Sequence, residues 1–420
     1  MVGGSSNSVT VRSLTLGGMV AVVVILLSAM SGLVGFVVGG GGEDEGGVAT
    51  DKPSDGAGFG ILDEIYGVIR EDFVDQTAVD EQALRQGAID GIVEALNDPH
   101  TIYIDPESYA LGVDIISGEF QGIGARVEQD ATTGEIIIIA PFRDSPAEIA
   151  GIRSGDVVVA VDGESTQGWS VSEAVRRIRG PEGTEVALSV RHSNGETEDV
   201  TVTRATIVIP TVFTNPLEDA DGNPVSDLAY VDLEQITEKT VPDLRNTVAE
   251  MVDQGYRGII LDLRRNPGGS LSATVDIADL FLDGGRILTQ VDREGNETSF
   301  DAHPGDVGED IPLVLLVGPG SASGAEVIAG ALRDHQRAVL VGETTFGKGS
   351  VNHLRELSDG GAIYITIARW LTPNGEQIEG IGLAPDIPVT PSEEDIEADR
   401  DVQLYSAIDH LRQEVQAGTP

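Results

Sequence analysis

The sequence predicts a multidomain α/β protein, and three observations carry that expectation. Its 420 residues exceed what one ordinary domain holds. From Ile207 onward, apolar runs that read as buried strands alternate with amphipathic helical stretches, the pattern of an α/β layered domain. Between residues 118 and 204 the apolar period is two instead, which marks a separate β-rich module.

The elements follow in chain order. From Leu14 to Val38 the chain runs 25 residues without a charge, enough to span a bilayer as a helix. Arg12 precedes the run, and Glu43, Asp44 and Glu45 follow it. That charge order places a tail, residues 1–13, in the cytoplasm and everything after the span outside the cell membrane. A cleaved signal peptide is the alternative, but the run is long for one and ends in "GGGGEDEGG" with no Ala-x-Ala site. Residues 39–57, rich in Gly and acid, read as a tether. Residues 58–117 read as a small helical segment: Ile61, Ile65, Val68, Ile69 and Phe73 recur at helical spacing, and Asp80 is placed to cap a second helix.

In the β-rich module, "FQGIGARVEQ", "GEIIIIAPF", "DVVVAVDG", "TEVALSVR" and "TEDVTVTR" read as strands. Ser145 and Pro146 open a short helix that stops at Gly151, and "SVSEAVRRIRG" is an amphipathic helix. The layered core runs over residues 205–390, and one or two helices fill the C-terminal segment, 391–420.

Composition excludes several functions. Twenty-six Lys and Arg against 70 Asp and Glu give a net charge of −44, which opposes nucleic-acid binding and a polybasic membrane patch. The absence of cysteine removes disulfides, thiolate metal sites and a Cys nucleophile. The six histidines show no metal-ligand spacing, and nothing implies a metal or cofactor.

Three turns can carry chemistry. In "GPGSASGAEVIAGALRDH" a buried strand ends in small residues and a helix follows with Glu326 in its first turn. A hydroxyl there sits beside free helix N–H groups, as a nucleophile next to an oxyanion hole would. Ser321 or Ser323 would serve equally as a simple N-cap. In "RRNPGGSLSATVDIADLF" the glycines Gly268 and Gly269 leave backbone N–H groups open to a ligand, or form an ordinary strand-to-helix turn. In "VGETTFGKGSVNH" stands Lys348, one of three lysines in a chain that otherwise uses arginine. Burial lowers an amine's pKa and lets it act as a base, which a guanidinium cannot do. A triad of Asp262 with His335 or His353 is a weaker arrangement, since His335 sits at a helix end. In the β-rich module, Gly122-Ile123-Gly124-Ala125 open a strand as either a carboxylate-binding loop or a bulge.

These pieces together resemble the carboxyl-terminal processing, or tail-specific, proteases over residues 58–412. The resemblance rests on "NDPHTIYIDPESY", "FQGIGARV", "SPAEIAGIRSGDVVVAVDG", "LDLRRNPGGSLSATVDIADLFL", "GSASGAEVIAGALRD", "VGETTFGKGSV" and "GIGLAPDIPV", in that order. It implies a PDZ domain at 118–204 and a ClpP/crotonase-like Ser-Lys peptidase core. It places the nucleophile at Ser323, the general base at Lys348 and the amine's orienting partner at Asn352, where the family commonly has Gln. It places the oxyanion hole at the N–H groups of Gly268 or Gly269 and of Gly324, and the peptide-binding loop at Gly122, Ile123, Gly124 and Ala125. Gly324 departs from the usual S-A-S-A-S-E run. The implied partners are proteins or peptides with exposed C-termini and the membrane; a homo-oligomer is left open. Two competing readings are a PDZ-type scaffold with a weak or inactive core and a crotonase-like acyl-CoA enzyme.

Overall fold

The computed structural model describes residues 58–106, 108–109, 119–130 and 132–418. The expected span, 14–38, and the tether, 39–57, lie outside the described residues. Among the described residues no helix is long and apolar enough to cross a membrane. The chain divides into two units: one of residues 121–207, and one of the segments before and after it.

The smaller unit is an antiparallel sheet in which neighbours follow chain order: Ala125–Gln129, Ile136–Pro141, Val157–Val161, Glu185–Arg191 and Thr197–Thr203. Alternation does the sorting. Val186, Leu188 and Val190 face inward while Glu185 and Ala187 between them are exposed. The inward set meets Ala174 and Ile178 of the helix Val171–Ile178, whose first turn is capped by Ser170. Ser145 caps the short helix Pro146–Ile149 in the same way. Ala125–Gln129 ends the sheet, so among the described residues one of its edges is unpaired.

The larger unit is built on a six-stranded sheet in the order Val212–Thr214, Ala229–Leu233, Ile259–Asp262, Leu313–Val317, Val339–Gly342, Ile387–Pro388. All pairings after the first are parallel. Alternate residues of these strands serve two cores. Ile259, Leu261, Leu313 and Leu315 pack with the helices Leu271–Asp279 and Gly324–Asp334. Ile260, Val314, Leu316 and Val341 pack with Ala407, Ile408 and Leu411 of the helix Val402–Ala417 on the other face. Burial on both faces explains the unbroken apolar runs. Arg264 pins this last helix: its guanidinium donates to Asp262 at the strand end and to Asp401, the helix N-cap.

A second, five-stranded antiparallel sheet corrects the expected simple alternation of strand and helix. It contains Gly285–Asp292, Glu297–Ala302, Ser350–Glu356, Ala362–Leu371 and Ile102–Ile104. The last strand lies within a segment expected to be helical. The helices Gly60–Asp72 and Glu81–Glu94 are there, the second capped by Asp80, but Ile102-Tyr103-Ile104 pairs with Ala362–Tyr364. An isolated β-rich tripeptide finds its partner through a pairing that local periodicity does not reveal.

Leu411 is fully buried, and a β-carbon at Gly258 would lie 2.9 Å from its side chain. Leu411→Ala is therefore expected to destabilise the larger unit by about 2–5 kcal/mol, read from its denaturant midpoint.

Candidate active site

Three neighbouring parallel strands end on the same side of the sheet, and each leads into a turn of interest. Ile259–Asp262 leads to residues 266–269, Leu313–Val317 to 321–324, and Val339–Gly342 to 345–349. Ligand sites of open α/β sheets sit at such strand ends.

The two serines of the middle turn part company. The Ser321 hydroxyl donates to the Leu263 carbonyl (2.7 Å) and accepts from the Gly318 N–H (3.1 Å), so it is used up by the fold. The Ser323 hydroxyl is fully buried and has no hydrogen-bond partner among the described residues. Ser323 is held at φ 54° and ψ −113°, a conformation costly for a non-glycine residue. Its place at the N-terminus of Gly324–Asp334 puts the hydroxyl at the positive end of that helix.

The glycine turn packs directly on it. Asn266 holds this turn: its side-chain amide donates to the Leu233 carbonyl (2.8 Å), its Oδ1 accepts from the Gly268 N–H (2.8 Å), and its carbonyl accepts from the Ala322 N–H (3.0 Å). Gly268, at φ 99°, has no room for a side chain, because a β-carbon would lie 2.7 Å from the Gly324 nitrogen. The same test at Gly269 meets the Ile236 carbonyl oxygen at 1.7 Å. The Gly268 N–H is committed to Asn266 and is not free for a substrate, which corrects its expected place among the donors. The N–H groups of Gly269 and Gly324 donate to no described residue, and a β-carbon on Gly324 would lie 3.3 Å from the Gly269 nitrogen. Two free donors thus stand side by side next to Ser323.

Lys348 reaches the site from the third turn. It is 2% exposed, and its ammonium position lies 5.3 Å from the centre of the Tyr364 ring. Its backbone is fixed at both ends: the N–H donates to Glu326 and the carbonyl accepts from the Trp370 indole (3.0 Å). Burial lowers the amine's pKa to about 8, against the opposing pull of Glu379, Asp98 and Glu326.

Glu326 joins the turns. One carboxylate oxygen accepts from the Ser323 N–H (2.9 Å) and the Lys348 N–H (2.8 Å), and the other from the Gly347 N–H (2.7 Å) and the Thr345 hydroxyl (2.5 Å). Burial raises its pKa above the ordinary carboxylate value, and these four donors pull it only part of the way back. The capping-box spacing, Ser323-x-x-Glu326, was the sequence signal for this residue, though not for its reach to the lysine turn.

Asn352 is fully buried on the strand that follows Lys348. Its amide nitrogen donates to the His100 carbonyl (2.9 Å) and to Thr366 Oγ1 (3.1 Å), and its oxygen accepts from the Ser350 hydroxyl (3.2 Å). The histidine triad does not assemble: His335 bonds the Arg286 carbonyl, and Asp262 accepts from Tyr230 and Arg264. In the smaller unit the carbonyls of Ile123 and Gly124 accept from Ala147 and Phe142, Gly122 ends the preceding strand, and Ala125 begins the edge strand.

A carboxyl-terminal-processing protease of Synechocystis sp. is 39% identical over 328 residues, covering 77% of this chain and 76% of that one. The chain belongs to the carboxyl-terminal processing protease family. A carboxy-terminal processing protease of Bacillus subtilis is 36% identical over 329 residues, covering 78% of this chain and 68% of that protein. In Staphylococcus aureus, proteins described as CtpA-like serine proteases are 34% identical over 340 residues, covering 80% of this chain and 66% of theirs. The family model for peptidase family S41 matches residues 227–389, the PDZ domain model residues 138–192, and that of the activating protease CtpB N-terminal domain residues 46–108. The chain is accordingly a serine protease with a PDZ domain, acting on proteins or peptides.

Because all four acceptor positions of Glu326 are filled, Glu326→Ala leaves four donors unpaired, at least one of them deep in the core. It is expected to lower the stability of the larger unit by at least about 3 kcal/mol and to abolish peptide cleavage, read by thermal unfolding and a peptidase assay.

Proposed function

We propose that this protease cleaves by a Ser323–Lys348 dyad, that its PDZ domain selects substrates by their C-termini, and that residues 14–38 anchor it with the catalytic part outside the cell membrane. The observation that carries the dyad is a buried, unbonded serine hydroxyl on a strained turn, linked through one carboxylate oxygen to a buried lysine of lowered pKa.

In this mechanism the neutral Lys348 amine takes the Ser323 proton as the oxygen attacks the scissile carbonyl. The tetrahedral oxyanion is received by the Gly269 and Gly324 N–H groups, each such donor being worth about 2.7–4 kcal/mol at comparable sites. The ammonium then protonates the leaving nitrogen, and water attacks the acyl-enzyme with the amine again as base. Asn352, fixed by three hydrogen bonds, has one lone pair of Oδ1 left to accept from the amine. In the PDZ domain, the unpaired edge of Ala125–Gln129 beside the helix Val171–Ile178 suits a peptide added as an extra strand, its carboxylate toward Gly122–Gly124. The anchor and the external location rest on the uncharged run and its flanking charges alone.

Ser323→Ala and Lys348→Arg should each reduce kcat for a peptide with a free apolar C-terminus by about 10³-fold or more, with the melting temperature of Ser323→Ala little changed. An active Lys348→Arg enzyme would contradict the deprotonated-amine mechanism. Because only the neutral amine is competent, kcat/KM should rise about tenfold per pH unit on the acid side. It should level off above the amine's pKa of about 8. Amidating the substrate's C-terminus should raise KM while leaving kcat nearly unchanged once the substrate is saturating; equal KM values would remove the PDZ selection step.

A further inference from the structure

The stretch "NDPH", residues 97–100, lies far from the serine, glycine and lysine turns in sequence, and its side chains have no part in the mechanism above. In the fold it stands behind the lysine turn. Lys348 lies between Gly347 and Gly349, and both flanks are gripped by the segment 379–380: the Gly347 carbonyl accepts from the Gly380 N–H (2.8 Å), and the Gly349 N–H donates to Glu379 Oε2 (2.9 Å). A β-carbon at Gly349 would lie 2.9 Å from the Glu379 nitrogen, so the two segments are in close contact. The second oxygen of Glu379 bonds His100 Nε2 (2.8 Å).

His100 has a second hold. Its carbonyl accepts from the Asn352 amide, while its own N–H donates to Asp98 Oδ1 (3.0 Å). Asp98 in turn accepts from the Thr101 hydroxyl, which accepts from the Thr366 N–H of the strand beside Asn352. One residue thus bears on the lysine turn by two routes, through its ring to Glu379, which holds Gly349, and through its main-chain carbonyl to the Asn352 amide. Its side chain is 11% exposed, too buried for a chance surface pairing.

We propose that His100 and Glu379 are positioning residues of the peptidase reaction: together they clamp the Gly347–Gly349 turn and the Asn352 amide, and so fix where the Lys348 amine stands. The proposal rests on the Ser323–Lys348 reading. It gives the shorter Asn352 amide a mechanical reason to suffice, since its position is set from behind by the His100 carbonyl rather than by its own length.

A charge consequence follows. The groups that face the Lys348 amine are the carboxylates of Glu379, Asp98 and Glu326 and the ring of Tyr364, with His100 behind Glu379. Glu379 is the strongest of these in favouring the protonated amine. Removing its charge lowers the amine's pKa, so the neutral base persists to lower pH.

The test is steady-state cleavage of a free C-terminal reporter peptide across pH by the full chain and its Glu379→Gln, His100→Ala, His100→Gln and Ser323→Ala variants. Glu379→Gln is expected to move the acid-side midpoint of kcat/KM down by roughly half a unit or more. His100→Ala is expected to lower kcat by about tenfold or more with KM little changed. His100→Gln, whose amide can still donate to Glu379, is expected to recover most of that loss, which mere packing damage would not allow. If the acid midpoint of Glu379→Gln and the kcat of both His100 variants match the parent enzyme while Ser323→Ala is inactive, the clamp is overturned and the dyad stands. If Ser323→Ala cleaves like the parent, the dyad itself falls, and the clamp with it. Should His100→Ala not fold, the acid-side midpoint of Glu379→Gln decides the question: a midpoint equal to the parent's overturns the clamp.

Discussion

A buried carboxylate, Glu326, is the point on which the site depends. Taking a carboxylate out of water costs several kcal/mol, so it must be matched by donors wherever it is buried. Here four donors meet it, from Ser323, Thr345, Gly347 and Lys348, at roughly 1.5–3 kcal/mol for each bond to a charged group. The donors offset part of the desolvation, burial still holding the carboxyl's pKa above its ordinary value, and they also set geometry. The helix that carries Ser323 and the turn that carries Lys348 are joined at their main chains, independently of either residue's side chain. That arrangement leaves the serine hydroxyl without a hydrogen bond among the described residues. Ser321 shows the contrast: two residues earlier, its hydroxyl is fully engaged by the backbone and has nothing left for chemistry.

The sheet supplies the frame for this junction. Parallel strands bring successive turns out at one end, so three turns separated widely in sequence become neighbours in space. Two of them meet at backbone distance, where Gly268 and Gly269 admit no side chain against Gly324 and Ile236. The strain at Ser323 is maintained by the packed helix Gly324–Asp334, every residue of which is buried from Gly324 through Leu332. The second sheet closes the site from the opposite direction. Its strand Ala362–Leu371 brings Trp370 to the Lys348 carbonyl and Tyr364 to the side chain, making the dry surroundings that depress the amine's pKa.

Much of this was legible in the sequence where the signal is local. Helix caps at Asp80 and Ser145, the apolar runs of the parallel strands and the period-two strands of the PDZ domain follow from short-range chemistry. A lysine between glycines, in a chain that avoids lysine, was legible as an exception. What was not legible depends on distant pairing. The strand Ile102–Ile104 is three residues long and meaningless until it meets Ala362–Tyr364. His100 and Asn352 are 252 positions apart, and His100 and Glu379 are 279 apart. The commitment of the Gly268 N–H to Asn266, which leaves Gly269 as the free donor, depends on the backbone angles of one turn. No residue pattern encodes that choice.

The fold buries Lys348 and lowers its amine's pKa to about 8, which brings the neutral base that the proposed dyad needs within reach near neutral pH. With three lysines in the chain, Lys52, Lys239 and Lys348, an NMR titration of the intact protein with isotope-labelled lysine side chains can follow each amine separately. One lysine signal is expected to titrate with a midpoint near pH 8 and to be absent from the spectrum of Lys348→Arg. A titration in which no lysine midpoint falls below about 10, the ordinary range for the side chain, would contradict it.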